Sequence, residues 1–202
     1  MFLKSQPPLI LASTSPYRHA LLERLGIRFV AQSPGIDESP LGGEAPGELV
    51  ARLARAKAGA IAARHPQAWV IGSDQTAVLT DAAGGVRMVG KPGTAEQCIR
   101  QLQDASGQTL RFLTAVAVIN DGARGNHEFI DTTRVRFRTL DKSTIERYVE
   151  SESPLDCAGG FKSEGLGISL CESIESDDPS ALIGLPLIRL AAILRQVGYE
   201  IP

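Results

Sequence analysis

Two short apolar runs, Leu9–Ala12 and Trp69–Ile71, each pass without a spacer into a polar cluster, and these junctions constrain the fold most. The first leads into Ser13-Thr14-Ser15-Pro16-Tyr17-Arg18, the second into Gly72-Ser73-Asp74-Gln75. In α/β proteins, ligands collect outside the carboxyl ends of strands, where a helix N-terminus offers N–H groups and a favourable dipole. Hydroxyls and an arginine at the first junction suit an anion. A carboxylate at the second suits a metal ion or a water to be activated. The pair implies chemistry on a phosphorylated small molecule.

The rest of the chain supplies the elements around these junctions. Pro16 can open a helix because the first helical residue needs no N–H partner, and Leu21, Leu22 and Leu25 continue it to about Leu25, before Gly26. A second strand is predicted over 27–31 and a Pro/Gly/Glu-rich loop over 33–47. Leu49, Val50, Leu53, Ala54, Ala60 and Ile61 then mark a helix from about Pro46 to Arg64. Lys57 follows Leu53 by one helical turn, so it falls on the apolar face. The strand from Trp69 is expected to end at Ser73 with a continuation over 75–80, then a turn at 81–85 and a hairpin return at 87–90. Thr94 caps a helix to about Ala105. Long strands follow at 110–119 and 128–137, the second alternating Thr133, Val135 and Phe137 with Arg134, Arg136 and Arg138. A helix over 143–150, a glycine-rich loop over 157–167, a strand over 168–174 and a helix over 185–197 complete the chain. Helices alternate with strands early, while antiparallel pairs sit mid-chain. The fold class is therefore α/β, a central mixed β-sheet flanked by helices, in a single domain over residues 1–202.

Composition narrows the partners. A chain of 202 residues buries about 70% of its unfolded surface and needs no staple. A net charge of −2 argues against polymeric nucleic acid, which calls for a basic face, though a few local cations suffice for a nucleotide. Cys98, Cys157 and Cys171 form no CxxC pair and read as reduced thiols of a cytoplasmic protein. The apolar run ending at Ala12 is too short for a signal-peptide core, and no run reaches membrane-spanning length. His19, His65 and His127 are the only histidines and make no zinc set with the cysteines.

Each candidate residue carries two readings. Ser13 and Ser15 cap a helix or grip an anion, and Arg18 is a solvated first-turn charge or a phosphate partner. Lys57 snorkels along its stem or projects toward phosphate. Asp74 is a turn aspartate or a base and metal ligand. Glu38, Lys91 and Lys162 are surface charges or members of one site.

The order of the pieces separates these readings. LILASTSPYR, Asp37-Glu38, the ARAKA segment around Lys57, IGSDQ, GKP, the Thr133–Phe137 strand, CAGGFKSEG and DDPSALIGLPL follow one another along the chain. In that order they resemble the Maf family of nucleotide pyrophosphatases along nearly the whole length. The resemblance implies two lobes around a nucleotide-binding cleft and hydrolysis of the α–β phosphoanhydride of a nucleoside triphosphate. It implies a divalent metal cation, Mg²⁺ or Mn²⁺, held by Glu38 and Asp74, with Asp74 as catalytic base. Ser13, Ser15, Arg18, Lys57, Lys91 and Lys162 fall on the substrate- and phosphate-binding positions. Phosphoanhydride hydrolysis needs positioned charge more than covalent help, which suits such a set.

Within the family the chain resembles the branch acting on 7-methyl-GTP rather than the dTTP/UTP branch, at Tyr17, Gln75 and Glu164. A methylated guanine is cationic, so an aromatic face and a carboxylate both favour it. Tyr17 stands where a tryptophan is most expected. The alternatives are a dTTP/UTP or broad modified-nucleotide pyrophosphatase, and a nucleotide-sensing regulator of cell division without hydrolysis. The expected partner is a small-molecule nucleotide, with no membrane and no nucleic-acid polymer; a homodimer is compatible with this reading.

Overall fold

The computed structural model describes residues 6–80, 84–121 and 125–202. Its described residues form one mixed sheet of seven strands in the order β2-β1-β3-β5-β6-β7, with β4 paired to β3. The strands are β1 (Leu9–Leu11), β2 (Val30–Ala31), β3 (Trp69–Thr80), β4 (Val86–Val89), β5 (Thr109–Ile119), β6 (Asn126–Phe137) and β7 (Cys171–Glu175). The helices are α1 (Pro16–Glu23), α2 (Pro46–Ala62), α3 (Ala95–Ala105), α4 (Lys142–Glu152) and α5 (Leu187–Gln196). No helix among the described residues is long and apolar enough to cross a membrane.

Two compact units divide the chain. The first comprises residues 1–74, 114–131 and 184–202. Here β1 lies parallel to both β2 and β3, pairing Leu9–Leu11 with Trp69–Ile71. Leu49, Val50, Leu53, Ala54 and Ile61 of α2 are buried as their spacing requires, whereas Ala60 is only half-buried and Ala58 faces the core instead. The second unit comprises residues 75–113 and 132–183. Its core gathers Phe112, Val135, Phe137, Tyr148 and Phe161 with Cys98 and Leu102 of α3. On β6, Thr133, Val135 and Phe137 are buried and the intervening arginines exposed, as the alternation requires.

Several expectations need correction. The strand from Trp69 does not stop at Ser73: β3 runs unbroken for 12 residues, so Asp74 lies inside a strand and not in a turn. It pairs with β1 through Ile71 and with β4 from Ala77, and Asp74 falls between these stretches. The carboxyl end that matters for Asp74 is therefore that of β1. The strand predicted over 27–31 shortens to two exposed residues on the sheet edge. The 157–167 segment is not plain loop, since a 3-10 turn forms over Ala158–Gly160. A second 3-10 turn, Leu166–Leu170, replaces the first part of the strand predicted over 168–174. Ile168-Ser169-Leu170 alternates apolar and polar residues as a strand does, but Ile168 is exposed while Leu170 is buried, two positions a strand would put on one face, and the Ile168 N–H turns back to the Gly165 carbonyl at 3.4 Å. The turn expected at 81–85 lies largely outside the described residues, as does the tip joining β5 to β6.

Candidate active site

Lys57 organises the first unit's polar centre. It sits on the buried face of α2 and is only 5% exposed. Its Nζ donates to Asp74 Oδ1 at 2.6 Å and to Glu38 Oε2 at 2.7 Å. The two pairs are unequal: the Asp74 side chain is 12% exposed and that of Glu38 54%. A buried ion pair is costly to break, about 3–5 kcal/mol when one partner is removed, whereas an exposed one contributes about 1 kcal/mol or less. Asp74 therefore fixes the lysine, and Glu38 joins from the solvent side.

Gly72 makes this approach possible. A Cβ there would strike the Ala54 carbonyl oxygen and lie 2.7 Å from the Ala58 nitrogen. With hydrogen in its place, α2 lies directly on β3, and Lys57, between Ala54 and Ala58, reaches a carboxylate two residues along the strand.

The first junction is built around α1. Ser13 is buried and its Oγ accepts from the Ser15 N–H at 3.1 Å, while Ser15 Oγ accepts from the Arg18 N–H at 3.4 Å. Ser15 is thus a true N-cap with Pro16 behind it. Tyr17 follows in the first turn, half-buried. Arg18 Nε donates to the Gly184 carbonyl at 3.0 Å, and Ser73 Oγ donates to the same oxygen at 2.9 Å. Burial lowers the Arg18 guanidinium from its usual value, while the Asp74 and Glu38 carboxylates raise it, so all three charges share one field. Gly184 has φ +122, a conformation strained for any residue with a side chain, and a Cβ on it would lie in contact with Arg18 Nε at 3.4 Å.

Glu38 stands on a braced loop. Asp37 Oδ1 accepts from the Ser39 N–H at 2.9 Å, and a second Ser39 group, its carbonyl, accepts from Arg52 at 3.1 Å. Arg52 also forks onto both Glu44 oxygens, at 2.6 and 2.8 Å. That arginine holds the Glu44 carboxyl down at about 2.

Gln75, Lys91, Lys162 and Glu164 belong to the second unit. Gln75 Nε2 donates to the Ala181 and Leu182 carbonyls at 3.0 and 3.1 Å. Lys91 is exposed between Gly90 and Pro92. Lys162 pairs with Glu152 at 2.8 Å, and Glu164 is exposed two residues later.

Sequence reading missed Ser73, Gly184, Arg52 and Glu152. Ser73 and Gly184 stand inside IGSDQ and DDPSALIGLPL, but nothing in those motifs says that a hydroxyl in one meets a carbonyl in the other that also takes Arg18. Arg52 and Glu152 left no signal, because an arginine or glutamate on a helix ordinarily faces water. The chemistry of the donor set fits a hard divalent cation. Two carboxylates already converge on one positive centre, and Mg²⁺ is commonly bound by one or two carboxylates completed by water and substrate phosphates. Among the described residues no group of three or more His, Cys, Asp and Glu could hold a metal.

Fold and site define an α/β protein with a mixed-charge centre at the carboxyl end of β1. The chain belongs to the Maf-like protein family, which matches residues 8–197 and bears out the resemblance read from the motifs. It is 53% identical over 196 residues to a 7-methyl-GTP pyrophosphatase of Pseudomonas aeruginosa, covering 97% of this chain and 100% of that one. Proteins of the same name from Alkalilimnicola ehrlichii and Nitrosococcus oceani are 51% and 48% identical, covering 98% and 96% of this chain and 98% and 96% of their own. A Staphylococcus aureus Ham1 protein matches at a TM-score of 0.44 and 13% identity, over 65% of this chain and 72% of that one, a likeness too slight to carry function.

Proposed function

We propose that this chain is a cytoplasmic nucleoside triphosphate pyrophosphatase that hydrolyses 7-methyl-GTP to 7-methyl-GMP and pyrophosphate. The observation that carries the reading is the Lys57 ammonium bridging Asp74 and Glu38, in the same field as Arg18. Near-full-length relatives bearing the 7-methyl-GTP pyrophosphatase name support the substrate.

In this reading the capped start of α1, with Ser13 and Ser15, and the Arg18 guanidinium bind the phosphates. The Gly184 carbonyl holds Arg18 by Nε and so sets the direction of its fork. Asp74 orients a water molecule. The water oxygen bonds to the α-phosphorus, the bond from that phosphorus to the α–β bridging oxygen breaks, and the bridging oxygen leaves with pyrophosphate. The water proton passes to the Asp74 carboxylate. Lys57 keeps that carboxylate in place and offsets charge developing on the phosphate oxygens. Glu38 and Asp74 would hold Mg²⁺ or Mn²⁺, which when bound neutralises part of the phosphate charge. Lys91 and Lys162 are assigned to phosphate as well, and Tyr17 and Glu164 to the cationic guanine base. Gln75 is assigned to base selection too, and its amide holds the Ala181 and Leu182 carbonyls.

The test is Asp74→Asn, which keeps an acceptor for Lys57 but removes the base. Pyrophosphate release from 7-methyl-GTP should fall by about a hundredfold or more, with nucleotide affinity largely retained. Near-wild-type turnover would remove Asp74 from the chemistry. A panel with GTP, dTTP and UTP decides the substrate, and nucleotide binding without any hydrolysis by the wild type would instead indicate a sensor.

A further inference from the structure

We infer that Glu152 is a positioning residue for base selection, acting by clamping the segment that carries Lys162 and Glu164; this rests on the base-selecting role proposed for Glu164. Glu152 ends α4, yet its side chain is only 13% exposed. Its two oxygens hold the two ends of a five-residue stretch. Oε1 accepts from Lys162 Nζ at 2.8 Å, and Oε2 accepts from the Leu166 N–H at 2.6 Å. These two donors hold the Glu152 carboxyl below its usual range, the Lys162 ammonium first.

Tyr148, one helical turn earlier on α4, completes the clamp, its hydroxyl accepting from the Lys162 N–H at 3.0 Å. Inside the stretch, the Gly165 N–H closes onto the Lys162 carbonyl at 3.3 Å. Gly165 is required by the clamp itself, because a Cβ there would lie 2.6 Å from Glu152 Oε1. Glu164 is thus the exposed residue of a turn whose flanking residues are tied to one helix end. A rigid turn presents a carboxylate at lower entropic cost than a free loop does. Glu152 also determines where the Lys162 ammonium rests before an anion competes for it.

The experiment compares Glu152→Ala, Glu152→Gln, Glu164→Gln and the Glu152→Ala/Glu164→Gln double variant, reading kcat and KM for 7-methyl-GTP, GTP and UTP. Glu164→Gln should reduce the preference for 7-methyl-GTP over UTP by about tenfold. Glu152→Ala should reduce the same ratio comparably, chiefly through KM, and the double variant should lose no more of it than either single one. Glu152→Gln keeps an acceptor for the Leu166 N–H and should restore most of the ratio, which a purely charge-based role would not allow. Thermal melts confirm that each variant is folded; if Glu152→Ala does not fold, Tyr148→Phe, which removes the acceptor of the Lys162 N–H, takes its place in the cycle and should lower the ratio in the same non-multiplying way, no effect overturning the positioning role. An effect of Glu164→Gln with none of Glu152→Ala overturns the positioning role alone. Multiplying effects, or a parallel loss for all three nucleotides, also overturn it. No effect of Glu164→Gln on the ratio overturns the Glu164 reading and, with it, this one.

Discussion

Substitution of Gly72 by alanine tests the contact on which the site is built. The added methyl would meet the Ala54 carbonyl oxygen, the Ala58 nitrogen at 2.7 Å and the Ala58 Cβ at 3.0 Å. Two of these are backbone atoms of α2, so no side chain can swing aside and the helix must lift from β3. Overpacking of this kind costs about 1–3 kcal/mol, and a rigid backbone obstacle belongs at the upper end. For a chain of this size each kcal/mol lowers the melting midpoint by about 2–4 °C, so a fall of roughly 6–12 °C is expected. Lys57 rides on the displaced helix, and its 2.6 Å bond to Asp74 should lengthen. A misplacement on the order of 1 Å at a reacting centre can cost up to about a hundredfold in turnover. Gly59 is the matched control, because a Cβ there meets nothing within 4 Å. Gly59→Ala should stabilise α2 by about 0.5–1 kcal/mol and leave kcat unchanged. Calorimetry and pyrophosphate release are the assays. If Gly72→Ala melts at the wild-type midpoint with wild-type kcat, close packing of α2 on β3 is not what positions Lys57.

Three further outcomes are expected. Chelator should abolish pyrophosphate release, and Glu38→Gln should weaken Mn²⁺ binding, followed by electron paramagnetic resonance in the absence of nucleotide, by about tenfold or more; unchanged Mn²⁺ affinity would remove Glu38 from the metal set. The Glu44 carboxyl, held down to about 2 by Arg52 against an ordinary 4.5, contributes stability that is fully present above pH 4.5 and is lost as pH falls toward 2. Arg52→Met should raise its NMR-measured pKa toward the ordinary value and weaken the fold above pH 4.5 more than near pH 2, and an unshifted Glu44 titration would contradict this. Burial pushes the Cys98 thiol up to about 11, so Cys98 should resist iodoacetamide at pH 8 in native protein and react once unfolded; rapid native labelling would show that α3 opens readily.

How much was legible in advance varies by element. The apolar stripe of α2 was plain, and it placed Lys57 on the buried face before any partner was known, since helical spacing reports facing directly. The β6 alternation was equally direct. Asp74 stands out in the sequence but its setting does not, because a polar cluster after an apolar run looks like the end of a strand. β3 is a sheet neighbour of β5 as well as of β1 and β4, and a strand held among partners that lie elsewhere in the sequence leaves no local mark at Ser73 and Asp74. The stretch after Gly165 failed for the opposite reason. Ile168-Ser169-Leu170 reads apolar-polar-apolar as a strand would, yet a local carbonyl, that of Gly165, captures the Ile168 N–H first. The clamp at Glu152 was invisible, because nothing in a glutamate at a helix end says that a loop folds back over it.

In the proposed mechanism, one oxygen atom sets when the Arg18 fork is aimed. The Gly184 carbonyl takes hydrogen bonds from Arg18 and from Ser73, partners 166 and 111 residues earlier in the chain. During synthesis both of these side chains leave the ribosome long before their acceptor does. Contacts of such separation close late, after the loop entropy between them has been overcome. Until then the arginine has no brace and its fork no fixed direction. A chain cut before Gly184 would keep every charged residue assigned here to catalysis and still lack the atom that aims Arg18.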